Sequence, residues 1–157
     1  MGDALKQRIK QSVFQHPAQE AILNVLVTAG HLRERVDAAC AAEGITQPQY
    51  NVLRILRGAH PGGYPRCEIA ARMLERAPDV TRLIDRLERA GLVERVRGEE
   101  DRRLSVTRIT RDGLALLAKL DAPINDISRD VAERVSPRNL RALSRICEDI
   151  YRPLDAG

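Results

Sequence analysis

The sequence predicts a mainly α-helical chain with one small β-wing, an α+β fold, and three observations carry that reading. Apolar residues recur at steps of three and four along most of its 157 residues. Only residues 92–109 alternate with period two, on either side of a charged tip. Trp is absent and aromatic residues make up 3%, so the core has to be built from Leu, Ile, Val and Ala, which suits helices better than a β-sandwich. With 43% hydrophobic and 31% charged residues the chain is not a disordered one. At this length one domain with helical extensions buries about two-thirds of its unfolded surface without covalent staples.

The elements follow in order. Up to Pro17 the chain is polar, with Val13 and Phe14 its notable apolar pair, and reads as a short helix or an arm. The spacing then predicts a helix over 18–44. Ile22, Leu26, Ala29, Leu32 and Val36 recur at helical steps, the run continues through Cys40, and Gly44 supplies the stop. Thr46 is an N-cap for the next helix, with Pro48 in its first turn and Tyr50, Leu53, Ile55 and Leu56 along it as far as Gly58. His60-Pro61-Gly62-Gly63 is turn chemistry. A short third helix after Pro65 is expected to bury Ile69, Ala70, Met73 and Leu74. Pro78 is expected to open a fourth, in which Val80, Leu83, Ile84 and Leu87 make a narrow apolar stripe before Gly91 ends it.

Residues 92–97 and 104–109 then read as the strands of a hairpin, separated by the hydrophilic tip 98–103. Thr110 caps a fifth helix with Leu114, Leu117, Leu120, Ile124, Ile127, Val131 and Val135 at helical spacing, and Pro123 is expected to kink it. Ser136-Pro137 starts the last helix, whose apolar edge is Leu140, Leu143, Ile146 or Cys147, and Ile150.

Composition narrows the function. Cys40, Cys67 and Cys147 are far apart and form no Cys-x-x-Cys, which argues against a disulfide framework and for a reducing, cytoplasmic setting. Cys40 and Cys147 fall on faces expected to be buried. His16, His31 and His60 are equally scattered, so neither a metal nor a cofactor is expected. The first ten residues are no secretory signal, and no apolar run approaches the ~20 residues of a spanning helix, so no membrane partner is expected. No nucleophile elbow, Gly-rich phosphate loop or His-Glu-x-x-His occurs, and no enzyme is expected.

Three helices followed by a hairpin are the layout of a winged helix-turn-helix, here residues 45–110. The polar face of 78–89 has groove-reading chemistry. Arg82 and Arg86 lie one turn apart, and each offers a fork to guanine or phosphate. Thr81 suits a phosphate or a thymine methyl; Asp79 and Asp85 temper the charge, and Asp85 is placed to orient a neighbouring arginine. Arg102 and Arg103 at the hairpin tip suit a narrow minor groove. The whole chain carries +4, and residues 66–112 only +2, so charge alone does not separate a DNA surface from a solvated one. The arrangement of the arginines does.

The stretch from Asp79 to Arg95, Asp-Val-Thr-Arg-Leu-Ile-Asp-Arg-Leu-Glu-Arg-Ala-Gly-Leu-Val-Glu-Arg, resembles the recognition helix and first wing strand of the MarR family of bacterial transcription regulators. Asp101-Arg102-Arg103, then Ile109-Thr110 and Gly113, is similar to that family's wing signature, with Ile109 in place of the usual Leu. Ile45-Thr46 and Gln49-Tyr50-Asn51-Val52-Leu53 are similar to its second helix, and the likeness spans about residues 18–152, with Gly62-Gly63 as a further departure.

The resemblance implies an obligate homodimer. Segments 18–44 and 111–152 would be interlocked dimerisation helices, and the two winged regions would read a pseudo-palindromic operator in double-stranded DNA. The apolar edge of 114–135, too long for one small winged domain to cover, calls for the same partner, the alternative being a monomer whose terminal helices cover each other. The resemblance further implies that Asp101 braces the wing against Arg103, that Arg103 enters the minor groove, and that Arg102 meets phosphate. It also implies an effector cleft between the dimerisation helices and the winged region. His31, Arg35 and Tyr50 are candidate polar groups for that cleft, although amphipathic packing explains each equally well. The expected function is therefore a sequence-specific dimeric repressor answering a small-molecule or stress signal. Its rival is a winged-helix protein-interaction module without DNA binding. Cys67, beside Arg66, leaves a redox-responsive thiol open.

Overall fold

Capping side chains set the starts of the helices that begin at Pro17, Gln47, Val80, Arg111 and Pro137, and glycines lie at or just after the ends of those that finish at Ala42, Gly58 and Arg89. The computed structural model describes residues 3–11, 13–75, 79–97 and 105–152. Within them the order is α1 (Ala4–Ile9), α2 (Pro17–Ala42), α3 (Gln47–Gly58), β1 (Tyr64–Pro65), α4 (Arg66–Arg72), α5 (Val80–Arg89), β2 (Val93–Arg97), β3 (Ser105–Ile109), α6 (Arg111–Arg134) and α7 (Pro137–Tyr151). His16 Nδ1 accepts from the Ala18 amide at 3.0 Å and caps α2. Gln49 Oε1 reaches back to the Thr46 amide at 2.9 Å and closes the first turn of α3. The Thr110 hydroxyl accepts from the Gly113 amide at 3.1 Å to cap α6, and donates to the Gly91 carbonyl at 2.7 Å, tying that cap to the end of α5. Helix α6 continues through Pro123 to Arg134.

The three strands form one antiparallel sheet in the order β1-β3-β2. The hairpin that the alternation predicts is present, and it pairs Val93 with Ile109 and Arg97 with Ser105. Strand β1, which pairs Tyr64 with Thr107 and Pro65 with Val106, follows directly on the His60–Gly63 turn, where the sequence predicts no strand. Two residues are too short to show a period, and the pairing is imposed by β3, which lies about forty residues further along the chain.

Leu53 and Leu56 of α3, Ile69 of α4, Leu87 of α5, and Leu117 and Leu120 of α6 are fully buried in one core. Gly113 lets α6 approach that core: a Cβ there would lie 2.3 Å from the Leu92 carbonyl oxygen. Two packing expectations are corrected. Helix α4 ends at Arg72, so Leu74 is 81% exposed and Ala70 is exposed as well, while Met73 is half-buried. A seven-residue helix has room for one fully buried position, Ile69. Cys147 is half-buried rather than buried. In the N-terminal segment Leu5 of α1 is the buried residue, and Val13 is exposed. Ile22 and Leu26 of α2, and Leu143, Ile146 and Ile150 of α7, face outward in the single chain despite their helical spacing.

Burial, with a smaller contribution from Asp37, raises the Cys40 thiol above its ordinary 9.0. Burial also raises the Tyr50 hydroxyl above 10.0, against smaller opposing effects of Arg54 and Arg57. Both groups hold their protons more tightly when folded. The stability this brings is complete below the unfolded values and is lost as pH rises through the raised ones. Thermal unfolding midpoints should therefore start to fall above about pH 9, where Cys40 begins to titrate in the unfolded chain. Calorimetry of Cys40→Ala should show that onset moved toward the tyrosine range, and an unchanged onset would contradict this account.

Candidate nucleic-acid interface

Helix α5 starts at Val80, two residues after Pro78, which is expected to open it. Its N-cap is Asp79, whose carboxylate accepts from the Arg82 amide at 3.0 Å. Pro78 itself lies outside the described residues. The other Asp79 oxygen sits 2.9 Å from Arg82 Nε, so Asp79 serves the helix terminus and orients Arg82. Val80, Ile84 and Leu87 bury the inner stripe and Leu83 is half-buried. This leaves Thr81, Arg82, Arg86 and Arg89 exposed on the opposite side. The Arg82 side chain is 79% exposed, available to a ligand despite its bond to Asp79.

Asp85 does orient an arginine, and that arginine is Arg95 of β2. The Arg95 guanidinium bonds the Asp85 carboxylate and also reaches Glu88 Oε2 at 2.7 Å, while its amide donates to Glu88 Oε1 at 3.1 Å. The hydrogen bond to Asp85, reinforced by the charge of Glu88, pushes Arg95 above its ordinary range. No sequence expectation gives Arg95 a role of its own. The available signal is its period-two relation to Val93, which is buried, so that Arg95 shares the strand face turned toward α5.

The wing-tip candidates Asp101, Arg102 and Arg103 lie outside the described residues. The strands leading to them are in place, with β2 beside α5.

A groove of about 670 Å³ lies next to this face. Val36 of α2, Tyr50 and Ile55 of α3, Leu83 of α5 and Ile124 of α6 supply apolar walls; Arg54, Arg72, Arg82 and Arg86, with Glu75 and Asp79, supply charge. Of the three candidate effector residues, the structure brings only Tyr50 to the groove, and there it is 6% exposed. His31 is exposed elsewhere on α2, and Arg35 pairs with Asp130 of α6 at 2.5 Å. Arg72 also stands over the Tyr64 ring, 4.4 Å from its centroid, and so links the groove to β1. Among the described residues no helix is long and apolar enough to cross a membrane, and no group of three His, Cys, Asp or Glu could hold a metal ion.

A helix presenting arginines from a three-helix unit, with a two-stranded wing at its side, defines a winged helix-turn-helix DNA-binding protein. The MarR family pattern matches residues 45–105. A MarR transcription factor from Planctomyces limnophilus is 35% identical, and the likeness covers 87% of this chain and 98% of that one with a TM-score of 0.65. The chain belongs to the MarR family of transcription regulators. The transcriptional repressor CouR, in its structure bound to a 23-mer DNA duplex, is 25% identical with a TM-score of 0.72, over 90% of this chain and 100% of that one. The homoprotocatechuate degradative operon repressor of Escherichia coli is 26% identical over 105 residues, 67% of this chain and 70% of the relative. These likenesses favour DNA binding over the protein-interaction module.

Proposed function

We propose that the chain acts as a homodimeric, non-enzymatic repressor, with α5 in the major groove, the wing tip at the minor groove, and a small-molecule effector in the groove beside α5. The observation that carries the DNA-facing part is the sorting of charge on α5. Asp79, Asp85 and Glu88 are each engaged within the protein, whereas Thr81, Arg82 and Arg86 stand exposed. In this reading Arg82 and Arg86 address base edges or phosphates, Arg103 the minor groove, Arg102 a phosphate, and Asp101 braces Arg103. The outward apolar residues of α2 and α7 support segments 18–44 and 111–152 as dimerisation helices, since so large an apolar surface is normally covered.

The groove supports an effector with an apolar body and an acidic group, because aliphatic walls meet four arginines there, and its two carboxylates, Glu75 and Asp79, are paired with Arg33 and Arg82. Occupancy would favour one separation of the two winged regions over another, and the wrong separation loses one half-site. Duplexes selected by the protein from a random pool should carry inverted half-sites centred about one turn, ~34 Å, apart. Light scattering should give a dimer. A compound that releases this DNA should act less well on Leu74→Glu, which adds a carboxylate at the exposed groove wall. A monomer in solution, or enrichment without an inverted repeat, would sink the dimeric reading. An undiminished response of Leu74→Glu would sink the effector site.

A further inference from the structure

The contacts between α5 and β2 are the densest knot of charge among the described residues. Arg95 bonds Asp85 and Glu88 at once, two carboxylates on successive positions of one helix face. Its own backbone amide adds a third bond, to Glu88. All three side chains are partly exposed: Arg95 is 34% exposed, Asp85 40% and Glu88 37%. Asp85 immediately precedes Arg86 and lies three positions after Arg82, so its carboxylate borders the face that meets DNA. Without Arg95 two unpaired negative charges would stand beside the phosphates that Arg82 and Arg86 approach.

We propose that Arg95 is a positioning residue for DNA binding: by holding Asp85 and Glu88 against β2 it withdraws their charge from the duplex. Arg95 acts through the two carboxylates, with no contact to DNA of its own. This adds a functional residue on the strand to those on α5, and it rests only on DNA binding by the winged region, not on the dimer or the effector.

Four proteins test it by fluorescence anisotropy on a duplex that the wild-type protein selects from a random pool. They are wild type, Arg95→Gln, Arg95→Lys, and Arg95→Gln combined with Asp85→Asn and Glu88→Gln. Arg95→Gln should weaken binding by about tenfold at about 50 mM salt, and by a smaller factor at about 200 mM, because salt screens the exposed carboxylates. Arg95→Lys, which keeps the charge without the two-carboxylate fork, should lie between it and wild type. The triple variant should return to within about threefold of wild type, since it has no charge to hide. Circular dichroism confirms folding of each. If Arg95→Gln does not fold, the charge-free triple variant still decides: a tenfold loss there means that Arg95 serves DNA directly or by shape alone, and overturns the proposal. So does a salt-independent loss in Arg95→Gln, or no loss at all.

Discussion

Replacing Gly63 with alanine should cost about 3–5 kcal/mol of folding stability, the range of a severe single substitution. Two effects combine at this position. Its backbone has φ +81°, a left-handed conformation that costs a residue with a Cβ about 1–2 kcal/mol. The added Cβ would also lie 2.2 Å from the Thr107 carbonyl oxygen and 2.8 Å from Arg108 Cγ, so β1 has to move off β3. Gly44 separates the two effects. Its φ is +73° with nothing within 4 Å of a Cβ, so Gly44→Ala should show the backbone cost alone, about 1–2 kcal/mol. Urea unfolding of both variants at neutral pH checks this, and equal losses would mean that the close approach of β1 to β3 contributes nothing. Against a typical total of about 5–15 kcal/mol, the Gly63 loss is large enough to leave part of the population unfolded on warming.

The double variant Arg82→Ala/Arg86→Ala should lose about 2–6 kcal/mol of specific DNA binding, taking about 1–3 kcal/mol for each arginine fork and treating the two as independent. Folding should be nearly unaffected. Asp79 keeps its cap bond because the donor is the backbone amide of residue 82, and the surface ion pair it loses is worth about 0–1 kcal/mol. Melting curves should therefore overlay while the titration curves separate. Base preference should relax at the positions the two forks read, because the missing donors no longer penalise the wrong base. Arg89→Ala is the internal comparison. Arg89 Nε donates to the Asp85 carbonyl at 3.2 Å, so this side chain is partly committed to its own helix, and its removal should cost less. Parent-like binding by the double variant would remove α5 from the major groove.

Much of this layout was legible in the residues themselves. The stripe of Val80, Ile84 and Leu87, the caps at Thr46, Thr110 and Ser136, and the alternation of 93–97 and 105–109 all depend on near neighbours in the chain, which a periodic pattern reports directly. The exposed Thr81, Arg82 and Arg86 followed from the same stripe, since burying one side of a helix presents the other. Leu74 misled because it continues a helical spacing that the backbone abandons at Arg72. Ile22, Leu26 and Ile146 are regular in period yet exposed in the single chain, because a period says that a face is apolar and not what covers it.

By itself, then, the sequence determined the order of helices and hairpin, the stripe that seats α5, and the arginines that α5 turns outward. Each of these is a property of residues within a few positions of one another. Only the tertiary structure decided that Tyr64 and Pro65 pair with β3, that Arg95 gathers Asp85 and Glu88, and that Arg82 and Arg86 share a groove with Tyr50 and Ile124. Such contacts join elements far apart in the chain. Their partners are chosen by how packed surfaces dock, and a charge at a given position carries no local sign of which opposite charge the docking will bring to it.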